Sequence, residues 1–338
     1  MKTLTCLEPG RLILEDKPLP AIQDGHALIR IDQVGVCGTD LHAWEGTQPY
    51  FSYPRILGHE LAATVESAPA GSGFAPGMAV TLIPYFHCGH CVACRKGQTN
   101  CCVHMSVCGV HEDGGMREYL SVPVAARLDG GGLTRDELAL TEPLAIGAHG
   151  VRRAAIHAGE HVLIIGAGPI GLATMMFALA AGAHVIAVDT NRQRLQFCSN
   201  QLGIADCLVA GETGFDDRLK AVTGGSNADV VIDCTGNLRA INDSFRWMAH
   251  AGRYVLIGLQ REMISFSHPE FHKREGTLMS SRNATREDFD TVIRAIRSRA
   301  INPTALITHR VMLAETPDNF STWMNPASGT IKAMIHIA

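Results

Sequence analysis

Four cysteines stand close together in the sequence, and their spacing could bind a metal ion. They follow the pattern C-x2-C-x2-C-x7-C and are Cys88, Cys91, Cys94 and Cys102. Four thiolates on one loop suit a closed tetrahedral zinc site, which leaves no position for a substrate. An iron–sulfur cluster is the chemical alternative, and nearby residues could compete as ligands, namely Cys101, Cys108, His87 and His90. We therefore predict a metal that folds this loop, and we favour zinc.

A second group of possible metal ligands is spread along the chain. It comprises Cys37 in GVCGTDLH, His59 and Glu60 in GHE, and Glu142 in TEPLAIGAHG. A catalytic zinc needs about three protein ligands and one open position, which a cysteine, a histidine and a carboxylate would supply. Each residue also has a purely structural interpretation, because a cysteine or histidine can be a core residue and a glutamate can begin a helix. The residues alone leave both interpretations open.

A glycine-rich stretch follows the apolar run HVLII and could bind a dinucleotide. Gly166, Gly168 and Gly171 form G-x-G-x-x-G, and Asp189 closes the next predicted strand. The glycines allow the backbone to approach a pyrophosphate closely, and the helix N-terminus stabilises its charge. We predict a dinucleotide site formed by Gly166, Gly168, Pro169, Ile170, Gly171, Asp189, Arg194, Thr235 and Gly258.

Asp189 also bears on the choice of cofactor. Its carboxylate can accept hydrogen bonds from the ribose hydroxyls of NAD and would repel the 2′-phosphate of NADP. Arg192 and Arg194 lie just beyond it and could favour NADP, but arginines on an exposed helix are usually solvated. We therefore predict NAD as the cofactor.

The elements that must position these residues change in character along the chain. From residue 1 to about 145, short strand-like runs broken by glycine and proline predict a mostly β domain. From about 150 to 280, alternating strands and helices predict a parallel sheet and an α/β fold class. The predicted strands are 161–166, 184–189, 206–209, 229–233 and 253–258. The tail is again strand-like, with one apolar face formed by Ile331, Ala333, Ile335 and Ile337.

Length and composition narrow the class of protein. The 338 residues suggest about two domains, and a formal charge of −4 argues against a nucleic-acid partner. The N-terminal sequence has no apolar run of signal-peptide length, and crowded cysteines then indicate metal binding in the cytoplasm.

The uncharged stretch 162–183 could span a bilayer by length, but its β-branched run, glycines and proline predict a strand, a turn and a helix. We predict no membrane partner.

Five motifs, in this order, resemble those of a zinc-dependent medium-chain dehydrogenase of the sorbitol and threonine dehydrogenase branch. They are GVCGTDLH, GHE, the four-cysteine loop, EPLAIGAHG and GAGPIG, and they span essentially the whole chain. The resemblance implies a GroES-like catalytic domain at 1–147 and 286–338, and a Rossmann NAD-binding domain at 148–285. It also implies NAD, about two zinc ions per chain, and a homodimer or homotetramer.

The resemblance assigns the two groups of metal ligands to two different zinc ions. Cys37 and His59 hold the catalytic zinc, Glu60 lies in or beside its ligand set, and Glu142 binds it directly or through water. The four loop cysteines hold a structural zinc, which would fold the loop and take no part in the reaction.

The resemblance also implies how the proton of the substrate leaves. Zinc binds the alcohol and lowers its pKa, Thr39 relays the proton, and His42 has the spacing of a relay histidine. Asp40 has the spacing of the residue that orients the histidine ligand. The alkoxide then passes a hydride to NAD. These roles make Thr39, His42 and Glu60 the predicted catalytic residues.

Shorter stretches resemble hexonate dehydrogenases and narrow the expected substrate. They are HAWEGTQPYFSYPRILGHE, SHPEFHKRE and SSRNAT. We expect a secondary alcohol of a sugar acid or polyol, with L-galactonate or a related hexonate, oxidised at C5, as the first choice. The alternatives are a sorbitol- or threonine-type dehydrogenase acting on another polyol or amino alcohol, and an NAD-sensing zinc protein without enzymatic activity.

A hexonate carries a carboxylate that a cation should bind. Arg282 follows the strand-like run 277–279 and is the first candidate, because a guanidinium matches a carboxylate in shape and charge. Asn283 beside it could bind hydroxyl groups. Lys273 and Arg274 are the competing cations, and an exposed or structurally paired Arg282 is the alternative interpretation.

Overall fold

The chain forms two units, and the structure, a computed structural model, describes residues 1–49 and 51–337. One unit comprises Met1–Glu142 and Thr285–Ala338, and the other comprises Pro143–Ala284. The first unit is therefore discontinuous in sequence, and the first boundary falls inside a helix that begins at Thr141.

Strands form where apolar and β-branched residues occur in short runs between glycines and prolines. In chain order they are β1 (Lys2–Glu8), β2 (Arg11–Asp16), β3 (His26–Gly35), β4 (Arg55–Ile56), β5 (Glu60–Ser67), β6 (Ala79–Leu82), β7 (Tyr85–Phe86), β8 (Ser106–Val107), β9 (Tyr119–Pro123), β10 (Arg127–Asp129), β11 (His161–Ile165), β12 (His184–Asp189), β13 (Asp206–Val209), β14 (Ala228–Asp233), β15 (Met248–Leu256), β16 (Thr277–Ser280), β17 (Ile307–Met312) and β18 (Lys332–His336).

Helices alternate with the strands of the second unit, and others occur in the first unit. In chain order they are α1 (Gly38–Glu45), α2 (Val92–Arg95), α3 (Arg135–Ala139), α4 (Thr141–Ala154), α5 (Pro169–Ala180), α6 (Arg192–Leu202), α7 (Phe215–Val222), α8 (Leu238–Ser244), α9 (His268–Lys273), α10 (Arg286–Arg297) and α11 (Thr316–Met324). Short 3-10 helices occur at Thr99–Cys101, Val124–Ala126, Phe245–Trp247, Pro303–Leu306, Leu313–Glu315 and Pro326–Ser328.

The first unit is mostly β, as the sequence predicts. Its main sheet has the order β10-β6-β5-β3-β18-β17, and β9 also pairs with β3. β3 is antiparallel to both β5 and β18. β18 therefore lies beside β3, the strand that leads into the GVCGTDLH motif, and β5, which begins within the GHE motif, lies on the other side of β3.

The second unit is a parallel sheet of order β13-β12-β11-β14-β15-β16. Its central strands are apolar and buried, as expected when helices pack against such a sheet. The uncharged stretch 162–183 forms β11, a glycine turn and α5, as predicted. Among residues 1–49 and 51–337, no helix is long and apolar enough to cross a membrane.

Two strands differ from their sequence-based predictions. β15 begins at Met248 rather than at 253. The Ala251–Gly252 pair is typical of a turn in sequence, but it lies within the strand, where Ala251 has a φ of +59°. β18 is buried on both faces rather than one, since Lys332 and Met334 are as buried as Ala333 and Ile335. The reason is that β18 lies between β3 and β17 in the sheet.

Candidate active site and metal centres

Cys37, His59 and Glu60 come together in the first unit and form what we call the Cys-His-Glu cluster. One ligand atom from each lies within 4.8 Å of the others. Cys37 is the N-cap of α1 and lies two residues after the end of β3. Glu60 is the first residue of β5, and His59 directly precedes it. Because β3 and β5 are antiparallel and Gly35 pairs with Glu60, the end of one strand meets the beginning of the other. Residues that are more than twenty positions apart in sequence are thereby placed side by side.

Two glycines make room for this arrangement. A Cβ on Gly35 would lie 2.2 Å from Glu60 Oε2, so a larger residue would displace the carboxylate. Gly58 has a φ of +93° and turns the chain directly before His59. The glycine of the GHE motif is thus explained by backbone conformation.

Asp40 holds the two segments of the cluster together. Its carboxylate is buried and accepts hydrogen bonds from the backbone N–H groups of Cys37, at 2.9 Å, and of Gly58, at 3.0 Å. Its Oδ1 lies 3.8 Å from His59 Nδ1, an ion-pair distance rather than a hydrogen bond. Burial raises the pKa of the Asp40 carboxyl group. Burial disfavours the charged form of His59 and lowers its pKa. The negative groups of Asp40 and Cys37 have the opposite and larger effect, so the pKa of His59 is raised well above the usual range.

The Cys-His-Glu cluster fits a zinc ion by the chemistry of its donors. A thiolate, an imidazole and a carboxylate are the ligands that zinc takes in catalytic sites. His59 is 5% exposed, and within the described residues its Nδ1 atom has no hydrogen-bond partner. A buried nitrogen of this kind is costly unless something binds the ring or screens its charge. These residues could therefore hold a metal ion with one position open.

Glu60 has a partner that the sequence did not indicate. The ammonium group of Lys332, at the start of β18, lies 2.6 and 2.7 Å from the two carboxylate oxygens of Glu60 and also donates to the carbonyl of Val36. Both side chains are fully buried. Lys332 therefore compensates the charge of Glu60, which burial alone would disfavour.

Glu142 lies near the cluster but outside its group of mutually close atoms. It is buried in the first turn of α4, and the hydroxyl group of Tyr85 donates a hydrogen bond to its Oε1. Burial raises the pKa of the Glu142 carboxyl group, and the nearby His59 opposes that shift. Of the two glutamates, Glu60 is the one whose oxygen lies among the other ligand atoms.

The four loop cysteines form a second, separate cluster. Their sulfur atoms lie 3.5 Å apart for Cys91 and Cys94, 3.9 Å for Cys91 and Cys102, and 3.5 Å for Cys102 and Cys88. A tetrahedral metal with thiolate bonds of about 2.3 Å separates its sulfurs by about 3.8 Å. The cluster therefore has the dimensions of a single-ion site, and the competing residues Cys101, Cys108, His87 and His90 lie outside it.

Backbone N–H groups support this second cluster. The N–H of Cys94 points to the sulfur of Cys91 at 3.5 Å, and those of Cys88 and His104 point to the sulfur of Cys102 at 3.3 Å each. The bond from Cys94 is the main cause that lowers the pKa of Cys91 to about 6. Such donors favour the thiolate form, which is the form that binds a metal.

The glycine motif forms the turn that a dinucleotide site requires. Gly166 has a φ of +98°, Gly168 is the N-cap of α5, and Pro169 is its first residue. A Cβ on Gly171 would lie 1.7 Å from the carbonyl oxygen of Gly166, so only glycine fits there. Ile170 belongs to the first turn of α5 and is half-buried.

Asp189 ties this turn to the end of β12. Its carboxylate accepts hydrogen bonds from the N–H of Ala167, at 2.7 Å, and from the N–H of Asn191, at 2.8 Å. The guanidinium group of Arg194 lies beside the turn, 3.8 Å from the position of a Cβ on Gly168. A positive charge is thereby placed where the motif receives a phosphate.

The ends of β14 and β15 meet at the same edge of the sheet. The buried carboxylate of Asp233 accepts hydrogen bonds from the hydroxyl of Thr235, at 2.5 Å, and from the N–H of Gly236, at 2.9 Å. A Cβ on Gly258 would lie 2.1 Å from the nitrogen of Gly236. Thr235 and Gly258 therefore line one edge together with Gly166, where ligands bind in sheets of this type.

Comparison with known proteins identifies the family. An alcohol dehydrogenase GroES-like domain matches residues 23–128, and a zinc-binding dehydrogenase domain matches residues 169–298. The chain is 47% identical over 322 residues to the L-galactonate-5-dehydrogenase of Escherichia coli K12, and the match covers 94% of each chain. The chain belongs to the zinc-binding alcohol dehydrogenase family.

Further matches agree with this family. The sorbitol dehydrogenase of Halalkalibacterium halodurans is 28% identical over 315 residues, which is 90% of each chain. An alcohol dehydrogenase of Escherichia coli CFT073, solved in complex with NADH, superposes with a TM-score of 0.93 at 26% identity, covering 100% of this chain and 99% of that chain. The predicted fold class, a GroES-like β domain with a Rossmann sheet, is confirmed.

The structure also places the two predicted proton-relay residues of this family. Thr39 lies in the first turn of α1, two residues after Cys37, and is half-buried. His42 lies one turn later and is exposed, and its Nδ1 is 3.2 Å from the hydroxyl of Thr47. Thr39 is therefore near the cluster by sequence and helix position, whereas His42 reaches solvent.

The predicted substrate residues belong to the second unit. Arg282 is exposed and follows β16, and Asn283 is half-buried with a φ of +52°. The competing cations are engaged elsewhere, since Arg274 lies 2.8 Å and Lys273 3.7 Å from the carboxylate of Glu270.

Sequence reasoning missed three buried residues that support these sites. They are Tyr85, Asp233 and Lys332. Lys332 alone carried a signal, because it is a charged residue inside the apolar run IKAMIHI. Such a residue is buried only when it is paired, and its partner could have been sought among the acidic motif residues.

Proposed function

We propose that this protein is a zinc-dependent dehydrogenase that oxidises the C5 hydroxyl of L-galactonate or a related hexonate with NAD. The observation that carries the proposal is the Cys-His-Glu cluster, a three-ligand set in the first unit of a zinc-binding dehydrogenase. The relative with 47% identity acts on L-galactonate, and it supports this choice of substrate.

The cluster would hold the metal through Cys37, His59 and Glu60, with Glu142 beside them. Bound there, zinc would polarise the substrate hydroxyl and lower its pKa. Asp40 keeps the backbone on both sides of the cluster in place. Thr39 is the group we assign to accept the hydroxyl proton, and the exposed His42 the group that passes it to water.

The four loop cysteines, Cys88, Cys91, Cys94 and Cys102, would hold a second zinc. Four thiolates close the coordination sphere, so this ion would serve the fold of the loop. The glycine turn and Arg194 would bind the pyrophosphate of NAD. The nicotinamide ring of NAD would accept the hydride. Thr235 and Gly258 would line the nicotinamide end of the cofactor.

Asp189 is expected to select NAD over NADP. Asp189→Ala should lower kcat/KM for NAD about tenfold and reduce discrimination against NADP, because the ribose acceptor and the repulsion are both removed. Asp206→Ala, at the opposite end of the neighbouring strand β13, is the matched control and should change neither value. Steady-state kinetics with both cofactors test this, and a wild type that prefers NADP contradicts it.

Arg282 is expected to bind the substrate carboxylate. Arg282→Ala should reduce kcat/KM for a hexonate by about 2 kcal/mol, the scale of a charged hydrogen bond, and affect a neutral polyol much less. Lys273→Ala is the control, since that residue faces Glu270. Equal losses on both substrates would show that Arg282 maintains the shape of the site instead.

We further propose a cytoplasmic homodimer or homotetramer. β16 is an edge strand of the second unit, and Leu278 on it is exposed. Exposed apolar side chains also follow β15, at Leu259, Met263 and Phe266. An open apolar strand edge is a place where a second copy of the chain can pair. Thiolate metal sites of this kind persist in a reducing compartment, which supports the cytoplasm.

A substrate panel tests the proposed function. The purified protein with NAD should reduce the cofactor with L-galactonate or another hexonate and much more slowly with sorbitol or threonine. Preference for sorbitol or an amino alcohol would favour the alternative dehydrogenase. NAD binding without turnover on any member of the panel would favour a sensor and contradict the proposal.

A further inference from the structure

Tyr85 and Glu142 form a buried pair at the edge of the Cys-His-Glu cluster. Tyr85 is 6% exposed and Glu142 is 4% exposed, and the hydroxyl group donates to Glu142 Oε1. The two residues are 57 positions apart in sequence. A buried hydroxyl with a buried carboxylate partner is a specific contact, because each group would be costly without the other.

Tyr85 is itself held in place by its surroundings. It lies in β7, where it pairs with Val107 of β8, and its ring contacts Phe289 edge-on with ring centroids 6.3 Å apart. The loop with the four cysteines runs between β7 and β8. The hydroxyl group therefore has little freedom to follow Glu142 if that carboxylate moves, and it can act as a fixed anchor.

The two glutamates beside the metal ligands are held in different ways. Lys332 binds both oxygens of Glu60 and brings a positive charge. Tyr85 donates to one oxygen of Glu142 and brings no charge. Tyr85 binds Oε1 of Glu142, and we assign the other oxygen, Oε2, to contact with a metal ion, a metal-bound water or a substrate hydroxyl.

We propose that Tyr85 is a positioning residue for the reaction, which fixes Glu142 Oε1 and thereby sets where Oε2 lies. The expected fall in kcat rests on the proposed function, whereas the positioning of Glu142 by Tyr85 does not.

Tyr85→Phe tests the proposal because it removes the hydroxyl group and keeps the ring. We expect kcat with a hexonate to fall about 10- to 100-fold, the usual cost of losing a group that orients a metal ligand. The KM for NAD should change less than about twofold, since the glycine turn lies in the other unit. Tyr254→Phe is the matched control, because Tyr254 is a buried tyrosine bonded to Ser244 at 2.6 Å and should leave kcat unchanged.

Two further readouts separate positioning from a general loss of structure. With Co2+ in place of zinc, Tyr85→Phe should alter the visible absorption of the metal at the Cys-His-Glu cluster, while melting temperature and metal content stay at wild-type values. In a Glu142→Gln background, Tyr85→Phe should lower kcat by less than about twofold further, because residues that act through one contact are not additive.

Several outcomes would overturn the proposal. An unchanged Co2+ spectrum with unchanged kcat, or losses that multiply in the double variant, would show that Tyr85 does not act through Glu142. Failure of the proposed function has a different signature, namely a wild-type enzyme that does not turn over any hexonate. The Co2+ spectrum of Tyr85→Phe would still decide the structural claim in that case. If Tyr85→Phe does not fold, the Co2+ spectrum of Glu142→Gln is measured instead. An unchanged spectrum of Glu142→Gln would show that Glu142 does not act on the metal, and it would overturn the proposal.

Discussion

His59→Ala should abolish NAD-dependent oxidation while NAD binding survives. The substitution removes one of three ligands from the Cys-His-Glu cluster, so the metal there should be lost. A metal that polarises a hydroxyl supplies several kcal/mol, and its loss should lower kcat/KM by at least about a thousandfold. NAD binding should persist because the glycine turn and Asp189 belong to the second unit.

Elemental analysis provides the direct readout for His59→Ala. The wild type should contain about two zinc ions per chain and the variant about one. His87→Ala is the matched control, because His87 is exposed and lies outside both clusters, and it should keep both ions and full activity. An active His59→Ala variant, or one that still holds two ions, would contradict the assignment.

Cys94→Ser should produce the largest loss of stability. Structural zinc contributes about 10–16 kcal/mol to the folding of small zinc peptides, so even partial loss should lower the melting temperature by about 10 °C or more. Cys94 approaches the sulfur of Cys91 to 3.5 Å, and serine is a much poorer zinc ligand. Folded yield should fall together with the melting temperature.

A neighbouring cysteine provides the control for this loss. Cys101 is exposed and lies outside the cluster, so Cys101→Ser should behave as the wild type in a thermal melt. The result that would refute a structural role is a Cys94→Ser variant that is as stable and as active as the wild type and still binds a second zinc ion.

The sequence predicts those sites whose residues lie close together along the chain. The loop cysteines lie within a single short segment, and the glycine motif follows a strand and opens a helix, so spacing alone indicates both geometries. In the structure the four loop cysteines lie together, and Gly168 of the glycine motif is the N-cap of α5. The Cys-His-Glu cluster required the family resemblance, because Cys37 and His59 become neighbours only through the pairing of β3 with β5.

Other contacts could not be predicted from the sequence for a physical reason. Lys332 and Glu60 are 272 positions apart, and their pairing depends on β18 lying next to β3. The contact between Tyr85 and Glu142 likewise joins residues 57 positions apart in sequence and depends on tertiary packing within the first unit. Burial of a charged or hydroxyl group is a property of tertiary packing, so neither periodicity nor spacing reports it.

The central claim is that the protein transfers a hydride from C5 of a hexonate to NAD. L-Galactonate labelled with deuterium at C5 tests it in one measurement, the mass of the reduced cofactor formed in a single turnover. We expect NADH that carries the deuterium, since the hydride moves directly from the substrate carbon to the nicotinamide. Unlabelled NADH, or no reduced cofactor at all, would contradict it.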